Sequence, residues 1–193
     1  AYGYTQLTSL QERATNYEKD IAALGRVSIK FQFIPRPERV VTAQGVAPLP
    51  AYYLAPPAGV RLRFLNITAV DGFIVSGALW EPVDKDPSNT VAIVQVHGSG
   101  GSYYANGSLP ANTPWFLSAK GYACLPISTR QHDQFINTDN FFDIRKDIDA
   151  AVQVLKTLGY KTIVLHGQSL GNIHVFYYGA VTRDPAVKAV VVT

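Results

Sequence analysis

Residues 162–171 read Thr162-Ile163-Val164-Leu165-His166-Gly167-Gln168-Ser169-Leu170-Gly171. Thr162 to Leu165 is a short apolar, β-branched run suited to a buried strand. A helical pattern follows to about Val181. The Gly-x-Ser-x-Gly pentapeptide therefore falls at a strand-to-helix turn. A sharp turn of this kind lifts a serine hydroxyl out of the sheet into a strained, accessible position. Gly167 and Gly171 leave room for the helix to cross the strand closely, and Gln168 completes the turn. The helix N-terminus adds partial positive charge and unpaired N–H groups beside the hydroxyl. Ser169 is the candidate nucleophile, and an ordinary turn serine is the other reading.

A second glycine-rich turn, His97-Gly98-Ser99-Gly100-Gly101, lies 72 residues upstream of Ser169 and closes the apolar strand Val91 to Val96. Acyl transfer passes through a tetrahedral oxyanion that needs two aimed N–H donors. One would be the backbone of Leu170. The other would come from Ser99, with Gly100 as second choice, on a turn supported by His97 and Gly98. A phosphate cradle fails on detail: no Gly-Lys-Ser/Thr follows, and a dinucleotide pattern would need glycine where Tyr103 stands. A plain flexible loop is the remaining reading. His97 is expected to order the turn through hydrogen bonds, and His166 to be a packed strand-end residue.

Further out, Val60 to Val70 alternates apolar and polar, Asp71-Gly72 marks a hairpin turn, and Phe73 to Trp80 returns. A helix is expected near Pro114 to Lys120 and a strand from Tyr122 to Ser128. A second helix follows, capped by Asn140, with Ile144, Ile148, Val152 and Leu155 inside and Gly159 at its end. Val187 to Val192 is the last strand. The pattern predicts an α/β protein with a mostly parallel sheet and an antiparallel N-terminal hairpin. The apolar stripe Leu7, Leu10, Ala14, Tyr17, Ile21 and Leu24 predicts a helix over residues 5–24. Residues 35–57 hold six of the twelve prolines and predict an extended surface connector. The chain divides into an arm, 1–57, and a main body, 58–193.

Hairpin, His97–Gly101 turn and Gly167–Gly171 elbow, in this order, resemble the α/β-hydrolase superfamily. Asp147-Ile148-Asp149-Ala150-Ala151 through Gly159-Tyr160 resembles its esterase and serine-aminopeptidase-like branch. The resemblance implies a serine hydrolase with a Ser–acid–His triad, cleaving a carboxylic ester through an acyl-enzyme. Amide hydrolysis, acyl transfer, cyclisation or elimination on the same elbow, and a non-catalytic binding module, are the alternatives. In the superfamily the acid and the histidine follow the serine along the chain. Only 24 residues follow Ser169, among them His174 and Asp184. His174 shares the helix that begins at the elbow, and Asp184 reads as a loop residue before Pro185. The fold is thus expected to be incomplete in this chain. Val187 to Val192 would be an exposed apolar edge. A C-terminal fragment of the same precursor is the expected partner, supplying the remaining strands, the histidine and the acid. A sequence cut short at Thr193 is the alternative, and a homo-oligomer is a further option.

Composition narrows the classes. The 193 residues are 47% hydrophobic and 16% charged, which excludes a disordered chain and a coiled coil. The net charge of +3 is scattered, so nucleic acid is not an expected partner. No apolar run is long enough for a membrane-spanning helix. The lone Cys124 reads as a buried small hydrophobe. No cofactor and no metal are expected, since His97, His132, His166 and Asp133 lack ligand spacing. Asp139, Asp143, Asp147 and Asp149 read as carboxylates favouring a helix N-terminus. Arg130 to Asp133 reads as pocket polarity or a hydrogen-bonded loop, and Tyr103, Tyr104, His132 and Asp133 are the candidate substrate pocket. Most other loop aromatics, Trp115, Phe116, Phe135, Phe141 and Phe142, read as core. The chain begins at Ala1 and has no methionine, so a cleaved secretory signal and a secreted or periplasmic location are expected, with a cytoplasmic one otherwise. The sequons at Asn66 and Asn106 are compatible with that.

Overall fold

The computed structural model describes residues 29–42, 45–104, 112–133 and 141–193. The expected helix over 5–24, the Asn140 cap, Phe135, Asp139 and the Asn106 sequon lie outside them. Nine strands and three helices are described: β1 (Lys30–Ile34), β2 (Arg39–Thr42), β3 (Gly45–Pro48), β4 (Val60–Thr68), β5 (Ile74–Pro82), β6 (Val91–Val96), α1 (Thr113–Ala119), β7 (Ala123–Ser128), α2 (Ile144–Thr157), β8 (Thr162–Gly167), α3 (Leu170–Thr182) and β9 (Val187–Val192). Seven strands form one sheet in the order β1-β4-β5-β7-β6-β8-β9, and β2 and β3 pair separately. The β1, β4 and β5 neighbours and the β5–β7 pair are antiparallel, whereas β7, β6, β8 and β9 run parallel.

Alternation along the strands builds two cores. From β4 to β7, Leu65, Ile67, Val75, Leu79, Val94, Val96, Leu125 and Ile127 face α2 and α3. Their neighbours Phe64, Trp80, Ile93 and Cys124 face Tyr53, Tyr103 and Tyr104 on the other side. This three-layer arrangement follows from period 2 in a sheet covered on both faces. The inner face of α2 is as expected: Ile144, Ile148, Val152 and Leu155 are all buried. Gly72, at φ +86°, turns the β4–β5 hairpin, and Gly159, at φ +98°, ends the α2 connection.

Residues 35–57 depart from the extended surface connector. Arg39–Thr42 and Gly45–Pro48 form a β-hairpin, and Val40, Leu49 and Tyr53 are buried in the second core. The Tyr53 hydroxyl donates to the Tyr103 carbonyl, and Trp80 lies 5.2 Å from its ring. The prolines exclude a long helix but allow a short 3-10 turn, Ala51–Tyr53, and a two-stranded ribbon set between them. Strand β1, just before Pro35, adds an edge to the main sheet. Asn66 sits within β4, where its Oδ1 accepts from Ser76 at 3.0 Å, so this sequon is on a strand and not on a surface loop.

From β6 the chain first adds β7 on one side, then β8 and β9 on the other. Strand order reverses at β6, and in a parallel sheet such a reversal opens a crevice beyond the strand C-termini. Both glycine-rich turns, after β6 and after β8, lie at that crevice.

Candidate active site

The elbow forms because two glycines permit a close crossing. A Cβ on Gly171 would lie 2.4 Å from the Val96 carbonyl oxygen and 2.6 Å from that of His97. A Cβ on Gly167 would lie 2.5 Å from the Gly171 carbonyl oxygen. Side chains at these positions would push α3 off the ends of β6 and β8. Ser169, between them, is exposed and has φ +52° and ψ −118°. An L-residue held there costs about 1–3 kcal/mol and persists only where its surroundings over-determine it. Gln168 N–H donates to the Val96 carbonyl at 3.1 Å, and Ser169 N–H to the Thr193 carbonyl at 3.0 Å, so neighbouring strands hold both sides of the turn.

The His97–Gly101 turn packs directly on the elbow. A Cβ on Gly98 would lie 2.9 Å from the Ser169 Cβ and 2.6 Å from the Gln168 Oε1. The Gly98 N–H donates to that Oε1 at 3.1 Å, so Gln168 tethers the two turns. Gly98 closes on Gly101 by a 3.1 Å backbone bond, and Gly100 has φ +68°. Ser99 is exposed at the tip. Leu170 is the first residue of α3, a position whose N–H has no intrahelical acceptor.

The imidazoles are largely committed elsewhere. Thr129 N–H donates to His97 Nε2 at 3.1 Å, which leaves the proton on Nδ1 to donate to the Gly98 carbonyl at 2.7 Å. Burial holds the His97 pKa down at about 4, so the ring is neutral and bonds the Gly98 carbonyl and Thr129. His166 bridges Gln95 and Thr193 through its two nitrogens, and burial lowers its pKa. His174 is buried on α3 with its ring 4.7 Å from Phe141. Neither of its nitrogens has a hydrogen-bond partner among the described residues, and burial, with His97 nearby, lowers its pKa to about 4. Asp184 accepts from Lys156 Nζ at 2.8 Å and caps the turn into β9, which is the loop role expected of it.

Past β7, His132 Nδ1 lies 2.8 Å from Asp133 Oδ2, which also accepts from the Tyr104 hydroxyl at 2.6 Å. Asp133 N–H donates to the Gly101 carbonyl, joining this cluster to the glycine turn. Tyr103, Tyr104 and His132 line a cavity of about 340 Å³ with Asn66, Ser76 and Ser128. Tyr103 and Tyr104 are also core residues: burial, with Asp133 near, pushes the Tyr103 hydroxyl to about 12, and the Tyr104 hydroxyl oxygen lies against the Val41 carbonyl. Arg130 is not part of that pocket. Its guanidinium bonds Asp147 at 2.8 Å and Asp71 at 2.9 Å, joining α2 to the β4–β5 hairpin. Asp147 and Asp149 likewise are more than helix-end charges: both are buried, one bound by Arg130 and the other by the Tyr178 hydroxyl. Thr129, Asn172 and Thr193 hold the two turns through bonds that span 21 or more residues, so no local motif marks them.

No protein-family profile and no curated protein matches the chain. Solved structures do. Brefeldin A esterase, a bacterial homologue of human hormone-sensitive lipase, superposes with a TM-score of 0.51 at 20% identity, over 68% of this chain and 38% of that one. Acetyl xylan esterase from Paenibacillus sp. R4 gives 0.59 at 15% identity, over 88% and 55%. A putative dipeptidyl aminopeptidase IV from Bacteroides ovatus gives 0.53 at 23% identity, over 68% and 21%. The chain spans less than two thirds of each. It has the α/β-hydrolase fold, over part of the length of the proteins that share it.

Proposed function

We propose that this chain carries the nucleophile and oxyanion hole of a serine hydrolase that cleaves carboxylic esters. The observation that carries the reading is Ser169: an exposed hydroxyl on a strained β8–α3 turn, packed against a glycine-rich turn at the sheet's switch point. Ser169 Oγ attacks the ester carbonyl and its proton passes to a histidine. Backbone N–H groups of Leu170 and Ser99, or Gly100, hold the oxyanion. Collapse expels the alcohol, which takes the proton from the histidine, and water then hydrolyses the acyl-enzyme. The cavity lined by Tyr103, Tyr104 and His132, which Asp133 orients by hydrogen bonds, offers mixed apolar and polar walls for part of the substrate.

The histidine and its acid come from further polypeptide, in our reading a C-terminal fragment of the same precursor. Among the described residues no imidazole hydrogen-bonds Ser169 Oγ, and His97 and His166 each use both nitrogens elsewhere. Strand β9 offers an open edge, with Val191 and Val192 exposed, and Ile173 and Phe176 of α3 are each 56% exposed beside it. A parallel strand and a covering helix would bury this surface. A second reading, amide hydrolysis, is favoured by the similarity to a putative dipeptidyl aminopeptidase. Turnover of matched ester and amide substrates by the full-length protein and its Ser169→Ala variant tests both. Loss of ester turnover with folding intact is expected; unchanged turnover in Ser169→Ala ends the assignment, and preference for the amide replaces the ester reading.

A further inference from the structure

We infer that Asn172 is a positioning residue for the nucleophile, acting by tying the first turn of α3 to the backbone at the end of β9. The inference rests on reading Ser169 as the nucleophile. Asn172 is the third residue of α3. Its Nδ2 donates to the Thr193 carbonyl at 3.0 Å, and its Oδ1 accepts the Thr193 N–H at 3.2 Å. A primary carboxamide presents a donor and an acceptor side by side. It therefore pairs with both backbone groups of one residue, as an adjacent strand would.

The partner it grips is already bound to the elbow. The Thr193 carbonyl accepts the Ser169 N–H at 3.0 Å. The Thr193 hydroxyl lies 3.2 Å from the Gly167 carbonyl and 3.2 Å from His166 Nε2. Asn172 closes the loop from the other side, since its own N–H donates to the Ser169 carbonyl at 3.0 Å. The elbow is thus fastened to one residue before, at and after the serine. A backbone at φ +52° and ψ −118° is one that glycine adopts readily and a residue with a Cβ only under strain, so these bonds, with the glycine crossings, fix where the hydroxyl stands. Leu170, whose N–H is the proposed oxyanion donor, lies inside the same clamp. Loosening it moves the attacking oxygen and the donor together, away from the geometry that the transition state needs, while leaving the substrate's remaining contacts in place.

The test uses the full-length protein and measures fluorophosphonate labelling rate, ester kcat and KM, and melting midpoint for wild type, Ser169→Ala, Asn172→Ala and Asn172→Asp. Asn172→Ala is expected to lower the labelling rate and kcat by roughly 10- to 100-fold with KM unchanged. Asn172→Asp keeps the acceptor, loses the donor and sets a carboxylate oxygen against the Thr193 carbonyl. It should react no faster than the alanine variant, although an acidic residue in the first turn favours the helix and keeps the melting midpoint at or above that variant's. A wild-type rate in Asn172→Ala overturns the inference alone, as does reactivity that rises and falls with melting midpoint across the two variants. A wild type that takes up no probe at Ser169 removes the nucleophile reading and the inference with it.

Discussion

Two alanine substitutions on one helix should move in opposite directions. At Gly171 an added Cβ would sit 2.4 Å from the Val96 carbonyl oxygen, against the roughly 3.5 Å at which nonbonded carbon contacts become favourable. The overlap is with backbone on both sides, so no side chain can swing away and α3 must lift by on the order of 1 Å. Overpacking of this kind costs about 1–3 kcal/mol. For a chain of this size that lowers the melting midpoint by roughly 2–12 °C. The shift also carries Ser169 and Leu170 with it, and a 1 Å misplacement of reacting groups costs on the order of 10² in rate. At Gly179, two helical turns on, the nearest atom to an added Cβ is Val190 Cγ2 at 3.5 Å, an ordinary contact. Alanine inside a helix is favoured over glycine by about 0.5–1 kcal/mol, so Gly179→Ala should raise the midpoint by roughly 1–4 °C. Circular dichroism melts and hydrolysis of a nitrophenyl ester read both effects. Gly171→Ala behaving as wild type, or the two variants shifting with the same sign, would refute the reasoning about the crossing.

Acid should unfold the protein through its buried histidines. His97 and His174 have pKa values lowered to about 4 by burial, so both stay neutral in the fold while the unfolded chain protonates them near 6.5. The stability they contribute is full above pH 6.5 and is lost as pH falls through about 4, on the order of 3 kcal/mol for His97. His174→Leu removes two unpartnered buried nitrogens and should raise the melting midpoint at pH 7 and flatten its decline between pH 6.5 and 4; an unchanged slope contradicts the assignment. Tyr53→Ala should cost about 3–5 kcal/mol, measured by urea titration, because a fully buried ring and its bond to Tyr103 are lost from the second core; a surface-like change under about 0.5 kcal/mol would return residues 35–57 to a loose connector.

What the sequence displays and what it hides divide by range. Strands β6, β7 and β8 are legible because parallel strands covered on both faces are apolar runs, the edge strand β9 because its valines form such a run although half of them are exposed, and the elbow because glycine spacing around Ser169 has a local steric reason. The inner face of α2 follows from period alone. Strand β1 goes unread because five residues ending beside Pro35 carry too little alternation to separate an edge strand from the connector. The burial of Tyr53 depends on Trp80 and Tyr103, 27 and 50 residues away. Arg130 lies by the crevice in sequence, yet it is claimed by Asp71 and Asp147, 59 and 17 residues off. Asn172 and Thr193 carry no motif; only the return of β9 alongside β8 brings them together. Spacing thus reveals the nucleophile turn, while the groups that steady it come from pairings that chain order conceals.

The central claim is that Ser169 is a reactive nucleophile, and mapping a fluorophosphonate adduct on the full-length protein tests it most directly. The account predicts a single adduct on the peptide containing Gly167 to Gly171, absent from Ser169→Ala. Absence of any adduct, or an adduct elsewhere that persists in Ser169→Ala, would contradict it.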